Sequence, residues 1–253
     1  MSISQAPRLS IVVPLRNRAN RRLANTLRSL RWQALADSTF EIILSDFGSK
    51  QSEHETLEAI AREYGAQIIR TPTQEVWNRS RALNIGIRRA KGHYVLCTDA
   101  DMIFAPNFLS TLLEVQRHTL DKAFVLCRAR DLPEDLAEKD WHIGDLEDLI
   151  AASSYRARLG TGACQMATRT YFEKVRGYDE GYTHWGLEDT DMTHRAQRSG
   201  LSHCWVEKET AMLHQWHPSN RTRWPLRKTL NDIRFHLTKE RIVKNKKSWG
   251  LAP

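Results

Sequence analysis

The chain has 253 residues, and its 38 Lys and Arg against 30 Asp and Glu give a formal net charge of +8. That length can bury the core of one large domain, and no apolar stretch is long enough to cross a bilayer. The N-terminus lacks the basic flank and apolar run of a signal peptide, so the sequence predicts a cytoplasmic protein. The four cysteines form no CxxC pair and are expected to be reduced.

In the first half of the chain, short apolar runs alternate with segments of helical spacing. The runs are rich in β-branched residues, as in strands buried on both faces, and cover residues 9–15, 41–47, 67–71, 93–99 and 123–129. Strand followed by helix, repeated, favours an α/β fold with a doubly wound, mostly parallel sheet flanked by helices.

The second half is less regular. Residues 131–159 form an acidic, loop-rich stretch, residues 160–172 resume a strand-like run, and residues 188–199 have helical spacing. The basic segment 225–247 is predicted to be one amphipathic helix. Its expected apolar stripe consists of Leu226, Leu230, Ile233, Leu237 and Ile242.

The positive charge is concentrated near the C-terminus. Residues 221–247 contain ten Lys and Arg and two acids, a surplus equal to the net charge of the whole chain. The remaining sequence is therefore close to neutral. This contrast predicts a main domain over residues 1–220 and a basic helical extension, or appendage, over residues 221–253.

Polar residues follow three of the predicted strands, in segments 14–18, 46–49 and 98–101. Because ligands of open α/β sheets gather beyond the carboxyl ends of the strands, these segments are expected to face one crevice. Asp99 and Asp101 end a buried run, where their charge needs a partner. A divalent cation such as Mn²⁺ or Mg²⁺ would satisfy both carboxylates, whereas a lone D-x-D motif can also be a capped turn.

Two further groups of residues could serve the same crevice. Arg16 and Arg18 suit the oxygens of a diphosphate, although they could be ordinary surface charges. Trp77 offers a flat face on which a nucleobase could stack, with Arg79 two residues on. A tryptophan at this point could instead cover the edge of the sheet.

The segment "RGYDEGYTHWGLEDTDMTHRAQRSGL" brings several acids to a predicted helix N-terminus. There the helix dipole helps to keep Glu188 and Asp189 ionised, and such a carboxylate could take a proton from a sugar hydroxyl. Helix capping is the alternative role. Downstream, His214 and His217 could complete a metal shell with Asp101 or be structural.

Together, "PLRNR", "WNRSRALNIGI", "TDADMI" and "RGYDEGYTHWGLEDTD", followed by a histidine, resemble the nucleotide-sugar glycosyltransferases of the GT-A fold. The similarity is closest to the β-1,4-galactosyltransferase family and the chondroitin-polymerase-like bacterial transferases of family 2. It extends from Leu9 to His217. The resemblance implies a Rossmann-like GT-A catalytic domain over residues 1–220, with a nucleotide-sugar half over 1–130 and an acceptor half over 131–220.

Carried over position by position, the resemblance implies a role for each residue. Asp189 would be the catalytic base, and Glu188 would assist it while binding the acceptor together with Trp185. Asp101 and His214 would bind Mn²⁺ or Mg²⁺. The nucleotide sugar would contact Pro14, Arg16, Arg18, Asp46, Trp77, Arg79 and Asp99.

The implied function is a metal-dependent, inverting hexosyltransferase of polysaccharide biosynthesis. It would move galactose or an N-acetylhexosamine from a UDP-sugar to a glycan or lipid-linked saccharide. Three departures from the family pattern leave donor and acceptor open. Phe47 follows Asp46 where a second acid is common, Thr190 stands where the galactosyltransferases have a third acid, and Ala211 replaces a methionine metal ligand.

Other interpretations are open at this point. A nucleotidyltransferase would carry a glycine-rich phosphate loop, which "PLRNRANRR" lacks, and a non-catalytic glycan- or membrane-binding relative would have lost the acids that this chain retains. The basic extension could contact an anionic membrane or an acidic glycan, or pack on the main domain through its apolar stripe. No motif indicates binding to nucleic acid.

Overall fold

A seven-stranded sheet forms the centre of the fold. The computed structural model describes residues 6–36, 39–156, 160–184, 186–218 and 225–252, with side chains of the last range described from Thr229 onward. The strands are β1 (Leu9–Leu15), β2 (Phe40–Phe47), β3 (Gln67–Thr71), β4 (Tyr94–Cys97), β6 (Ala123–Leu126), β9 (Gln165–Thr168) and β10 (Ser202–Trp205). Their order is β10-β6-β9-β4-β1-β2-β3.

The sheet is mostly parallel, as predicted. Within the described part of the chain, β9 is the strand that runs antiparallel to its two neighbours, β4 and β6. The first four runs of the sequence pattern correspond to β1, β2, β3 and β4 and the fifth to β6. The run predicted over 93–99 ends at Cys97, so Asp99 and Asp101 lie on the loop that follows β4.

Helices cover both faces of this sheet. They are α1 (Arg21–Arg31), α2 (His54–Glu63), α3 (Arg79–Arg89), α4 (Phe108–His118), α5 (Leu146–Ala152), α6 (Arg169–Val175), α7 (Glu188–Arg198) and α8 (Pro225–Thr238). One core cluster holds apolar residues of α1, α2 and α4, and another holds those of α3, α6 and α7. Because β1 is buried along its whole length between these layers, its sequence is apolar except for Ser10, whose hydroxyl donates to Glu41.

A glycine lets α3 approach the sheet closely. A Cβ atom built on Gly86 would lie 2.4 Å from Cγ1 of Val12 in β1, so a larger residue would push the helix away. At its other end, α3 begins where the side chain of Asn78 accepts a hydrogen bond from the backbone N–H of Arg81. Arg79 therefore projects from the first turn of a helix that is fixed at both ends.

A second, four-stranded sheet lies beyond the main one and was not predicted. Its strands, in the order β5-β11-β7-β8, are β5 (Met102–Phe104), β11 (Met212–His214), β7 (Arg130–Asp131) and β8 (Ser154–Tyr155). The side chains of Thr26 and Ser29 in α1 accept hydrogen bonds from the backbone of β5. This sheet therefore brings residues from the middle and the end of the chain beside the loop that carries Asp101.

Four predicted elements are shorter than expected. The runs over 93–99 and 123–129 end as strands at Cys97 and Leu126. The strand-like run over 160–172 ends at Thr168, whose side chain caps α6, so its last residues are helical. The helix predicted over 225–247 ends at Thr238, and beyond it Lys244 and Asn245 turn inward to polar partners on the main domain. Ile242 therefore does not belong to the helical stripe and instead packs against the second core cluster.

The basic extension contacts the main domain through buried polar groups. The ammonium of Lys244 pairs with the carboxylate of Asp191, which also accepts a hydrogen bond of 2.9 Å from the guanidinium of Arg195. The side chains of Asp191 and Arg195 are fully buried. Trp249 is buried in the second core cluster. The division at residue 220 stays a prediction, and these contacts describe how the two parts meet.

None of the described helices combines the length and the apolar character that crossing a bilayer requires. The four cysteines are unpaired, and three of them are buried. Burial raises the pKa of Cys97 to about 12, so this thiol is un-ionised near neutral pH and packs as a small apolar residue.

Replacing Lys244 with Met tests the buried network. Loss of the ammonium leaves the buried Asp191 with Arg195 as its remaining cationic partner, and we expect the free energy of unfolding to fall by about 1–3 kcal/mol. Chemical denaturation measures the change. Lys246→Met removes an exposed charge two residues away and should alter stability by less than about 0.5 kcal/mol. Equal effects of the two substitutions would contradict the structural role of Lys244.

Candidate functional site

The loops at the carboxyl ends of β1, β2 and β3 are tied together by one arginine. The guanidinium of Arg16 donates to the carbonyl of Gly48 at 3.0 Å and to the carbonyl of Glu75 at 2.6 Å. The backbone N–H of Asn17 donates to Ser49 Oγ at 2.8 Å. These contacts unite segments that the sequence predicted to share a crevice. Arg16 thus connects the loops that follow β1, β2 and β3.

The next feature is an aromatic and acidic corner after β2. Asp46 is fully buried, and one of its carboxylate oxygens accepts a hydrogen bond from the Ser49 N–H at 3.1 Å. Its other oxygen, Oδ2, makes no hydrogen bond to any described residue and lies 3.6 Å from Arg70 Nε. Phe47 is buried and meets Trp77 edge to face, with ring centroids 6.4 Å apart. Phe47, which stands where a second acid is common in the family, therefore packs as an apolar side chain against Trp77.

Arg79 connects the two acidic parts of the crevice. It donates from Nε and Nη2 to Asp99 Oδ1 at 3.0 and 2.7 Å, and Nη2 also donates to the carbonyl of Gly162. Its Nη1 lies 3.7 Å from Glu188 Oε1. Burial alone would lower the pKa of Arg79, but Asp99 and Glu188 raise it above its ordinary value. The guanidinium therefore stays charged, pairs with Asp99 and lies near Glu188.

Three side chains lie close enough to hold one metal ion. One potential ligand atom each from Asp101, His214 and His217 lies within 4.8 Å of the others. His217 Nε2 is 3.2 Å and His214 Nε2 is 3.9 Å from the carboxylate of Asp101. Burial opposes ionisation of Asp101, but the hydrogen bond from His217 and the charges of His214 and Arg18 keep its pKa lowered. The same hydrogen bond raises the pKa of His217.

The donor set fits a divalent ion. Two imidazole nitrogens and one carboxylate oxygen are ligands that manganese and similar first-row ions accept, and a partly exposed site leaves positions for other oxygen ligands. Sequence reasoning favoured Asp101 and His214 and kept His217 as an option, and all three lie together. Ala211 stands where the galactosyltransferases have a methionine metal ligand, and His217 lies in the cluster as a second histidine.

Asp131 is a polar neighbour of the cluster that the sequence did not reveal. In the register of the second sheet it pairs with His214, and its Oδ1 lies 3.0 Å from His214 Nδ1. Arg156 donates to both carboxylate oxygens of Asp131. Because an ionised carboxylate accepts hydrogen bonds only, Asp131 favours the neutral tautomer with the proton on Nδ1, which leaves the Nε2 lone pair available to a metal ion. No motif marks Asp131, since its position depends on strand pairing between distant segments.

The two acids at the start of α7 have different surroundings. Burial and the adjacent charge of Asp189 raise the pKa of Glu188 to about 7, although Arg79 opposes the shift. Asp189 accepts hydrogen bonds from Thr161 Oγ1 at 3.1 Å and from the Thr190 N–H at 2.7 Å. A Cβ atom on Gly162 would come within 3.3 Å of Asp189 Oδ2. Thr161 and Gly162, which sequence reasoning also missed, thus shape the surroundings of Asp189.

The backbone leading to these acids is strained. His184 and Leu187 have φ values of +65° and +74°, in the left-handed region that costs energy for residues other than glycine. The backbone N–H of His184 donates to the carbonyl of Trp77 at 3.0 Å. This loop is therefore held by the aromatic corner. Trp185, predicted to line the acceptor pocket, lies outside the described residues.

The other predicted residues occupy the same region. Pro14 lies in β1 opposite Ser45, near the carboxyl end of the strand. Arg18 is partly exposed, and its charge acts on both Asp101 and His217. Arg79 also donates to the carbonyl of Gly162, a residue whose missing side chain leaves room for Asp189. Among the described residues, Arg79 thus links the candidate donor residue Asp99 to the candidate acceptor residue Glu188.

Comparison with known proteins gives matches over most of the chain. A chondroitin synthase of Escherichia coli is 26% identical over 92% of this chain, which spans 38% of that protein. A mannosyltransferase from Pyrobaculum calidifontis, solved with GDP-Man and Mn²⁺, has a TM-score of 0.67 at 16% identity, covering 93% of this chain and 65% of that one. The S. aureus TarS fragment with UDP-GlcNAc has a TM-score of 0.59 at 13% identity, covering 84% and 60%.

Family models agree with these matches. The model of glycosyl transferase family 2 matches residues 10–176, which is more than half of the chain. A model described as the N-terminal domain of galactosyltransferase matches residues 150–217. This part holds the acids Glu188 and Asp189 and the two histidines of the metal cluster, His214 and His217. The solved structures share the fold. The chain is a GT-A glycosyltransferase and belongs to glycosyl transferase family 2.

Proposed function

We propose that the protein is a metal-dependent, inverting enzyme that transfers galactose or an N-acetylhexosamine from a UDP-sugar to a glycan or lipid-linked saccharide. The observation that carries this proposal is the position of Arg79, which contacts Asp99, Gly162 and Glu188 at once. The donor-side carboxylate and the acids at the start of α7 therefore share one crevice. The name of the chondroitin synthase relative supports a saccharide as acceptor.

The aromatic corner supports binding of a uracil base. Trp77 is backed by Phe47 and offers its ring to a stacked base. The buried Asp46 Oδ2, without a hydrogen-bond donor among the described residues, suits the imide N–H of uracil. The TarS structure with UDP-GlcNAc supports a UDP-sugar, while the mannosyltransferase structure contains GDP-Man. We therefore propose uracil as the base of the donor, on the evidence of Asp46 and Trp77.

Asp101, His214 and His217 would hold the metal ion, preferably Mn²⁺ and alternatively Mg²⁺. When bound, the ion supplies positive charge that stabilises the departing nucleoside diphosphate. Arg18 adds a second positive charge beside Asp101. Asp99, oriented by Arg79, would bind a hydroxyl of the ribose or of the donor sugar. Pro14 and Arg16 would form the wall against which the nucleotide rests.

The transfer itself is a single displacement. Asp189 takes the proton of the acceptor hydroxyl as that oxygen bonds to the anomeric carbon, and the bond from this carbon to the diphosphate oxygen breaks. The nucleoside diphosphate leaves, and the configuration at the anomeric carbon inverts. Thr161 and Thr190 hold the carboxylate of Asp189 in one orientation. Glu188, with its pKa raised to about 7, would bind an acceptor hydroxyl with the help of Trp185.

Replacing Asp189 with Asn tests the base. The amide keeps the shape of the side chain but accepts no proton, so we expect transfer to fall by about 10²–10⁴-fold. Binding of UDP with Mn²⁺, measured by calorimetry, should stay unchanged. Asp148→Asn, the same change at an exposed position of α5, is the matched control and should retain most of the activity. Loss of UDP binding in the Asp189 variant would instead assign this carboxylate to the donor.

Replacing His217 with Ala tests the composition of the metal site. Removal of one of three ligands should weaken Mn²⁺ binding by at least about tenfold, because two protein ligands hold the ion less firmly. Electron paramagnetic resonance of free Mn²⁺ measures this affinity without nucleotide or activity. His118→Ala removes an exposed histidine far along the chain and should have no effect. Equal Mn²⁺ affinities of the two variants would exclude His217 as a ligand.

Asp131→Asn tests the carboxylate behind His214. Asparagine can present its N–H to the imidazole and so favour the wrong tautomer, and we expect a loss of about 10–100-fold in Mn²⁺ affinity. Arg156→Met is the matched variant, since it removes the partner of Asp131 but keeps the carboxylate on His214. It should lose less affinity than Asp131→Asn. The reverse order would indicate that Arg156, rather than the orientation of His214, controls the site.

A further inference from the structure

Helix α8 packs on the main domain through its polar side. Asn231 is 4% exposed, and its amide donates to the backbone carbonyls of Thr183 and Gly186 at 3.1 and 3.3 Å. Arg234 forms a two-pronged pair with the fully buried carboxylate of Asp179, at 2.8 and 2.6 Å. These contacts fix the rotation of the helix about its own axis.

The apolar stripe of the same helix consequently faces outward. Leu230, Ile233 and Leu237 are 53%, 49% and 76% exposed. Their spacing of three and four residues places them on one face of the helix. A surface helix ordinarily turns such a stripe toward the core, so this arrangement is inverted. Packing through the apolar stripe, one of the options left by the sequence, is therefore excluded for these three residues.

The segment that follows the helix carries exposed positive charge. Arg241, Lys246 and Lys247 are exposed in the segment that follows the helix, together with Val243. Glu240, one of the two acids of residues 221–247, is paired with Arg198 at 2.6 Å. Exposed aliphatic side chains and nearby cations match a surface that is negatively charged outside and apolar beneath.

We propose that the outer face of α8 binds the surface of an anionic lipid bilayer. Leu230, Ile233 and Leu237 enter the boundary between headgroups and acyl chains, and the cations contact lipid phosphates. The excess of positive charge favours this occupant over a second copy of the chain, because two copies would bring like charges together.

The helix also connects the bilayer to the candidate site. The carbonyls that Asn231 binds belong to the loop leading into Glu188 and Asp189. A helix lying on the bilayer therefore turns this side of the crevice toward the lipid surface. This orientation would suit a lipid-linked acceptor, and that consequence rests on the proposed function. The binding of lipid is independent of the proposed function.

Co-sedimentation with vesicles tests the proposal. The full chain is mixed with vesicles of phosphatidylcholine alone or with about 30% phosphatidylglycerol, at low and high salt. We expect binding to the anionic vesicles only, weakened by salt. The triple variant Leu230→Gln, Ile233→Gln, Leu237→Gln should bind on the order of tenfold more weakly, because it loses the buried aliphatic area while glutamine keeps the helix.

Two control sets separate the stripe from general effects. Leu120→Asn with Ile143→Gln removes exposed aliphatic side chains elsewhere, and should bind like the unmodified chain. Replacing Arg241, Lys246 and Lys247 with Gln should weaken binding to anionic vesicles on the order of tenfold. The same change at Lys91, Lys122 and Lys208, which removes equal charge from exposed positions elsewhere, should weaken it much less. Thermal unfolding checks that each variant is folded.

Three results would overturn the proposal. One is the absence of preference for anionic vesicles, and another is equal binding by the stripe variant and its control. The third is a dimer in light scattering that the stripe variant converts to monomer without any vesicle binding, which would make this face a self-association surface. Because sedimentation measures no transfer, these results are distinct from failure of the glycosyltransferase proposal, which Asp189→Asn tests separately.

Discussion

The contacts of Arg79 are the interaction on which the candidate site depends. A crevice that gathers Asp99, Glu188 and Asp189 would repel itself and pay a large desolvation cost without a buried cation. Arg79 supplies that cation and meets Asp99, Glu188 and a carbonyl beside Asp189. It can do so because Asn78 caps the start of α3 and because this helix packs closely on β1.

The metal cluster follows the same rule with different partners. Asp101 is kept ionised by His217, His214 and Arg18, and His214 is in turn held by Asp131 and Arg156. Asp99 thus pairs with Arg79 and Asp131 with Arg156, while Asp101 lies near Arg18. Glu188 differs from these carboxylates, because its burial and the neighbouring Asp189 outweigh Arg79 and raise its pKa to about 7. That difference distinguishes the two adjacent acids of α7 in their chemistry.

Much of the main sheet was predictable from the sequence. Runs rich in apolar, β-branched residues identified β1, β2 and β3 within one residue at each end, although the edge strand β3 is partly exposed. The two-residue strands β7 and β8 carry no such pattern, because their stability comes from pairing with β11 and with each other. The rotation of α8 was equally hidden. The sequence left open whether its apolar stripe packs on the domain, and the partners of Asn231 and Arg234 decided which side faces the domain.

The sequence by itself determined the α/β class, the family resemblance and the types of residue available for chemistry, because periodicity and motif order are local or linear properties. The tertiary structure decided which residues meet. Asp131 reaches His214 through strand pairing, Thr161 reaches Asp189 across a loop, and the apolar side of α8 faces outward because buried carbonyls and Asp179 take its polar side. Such contacts join distant segments, and their geometry depends on packing of the whole chain.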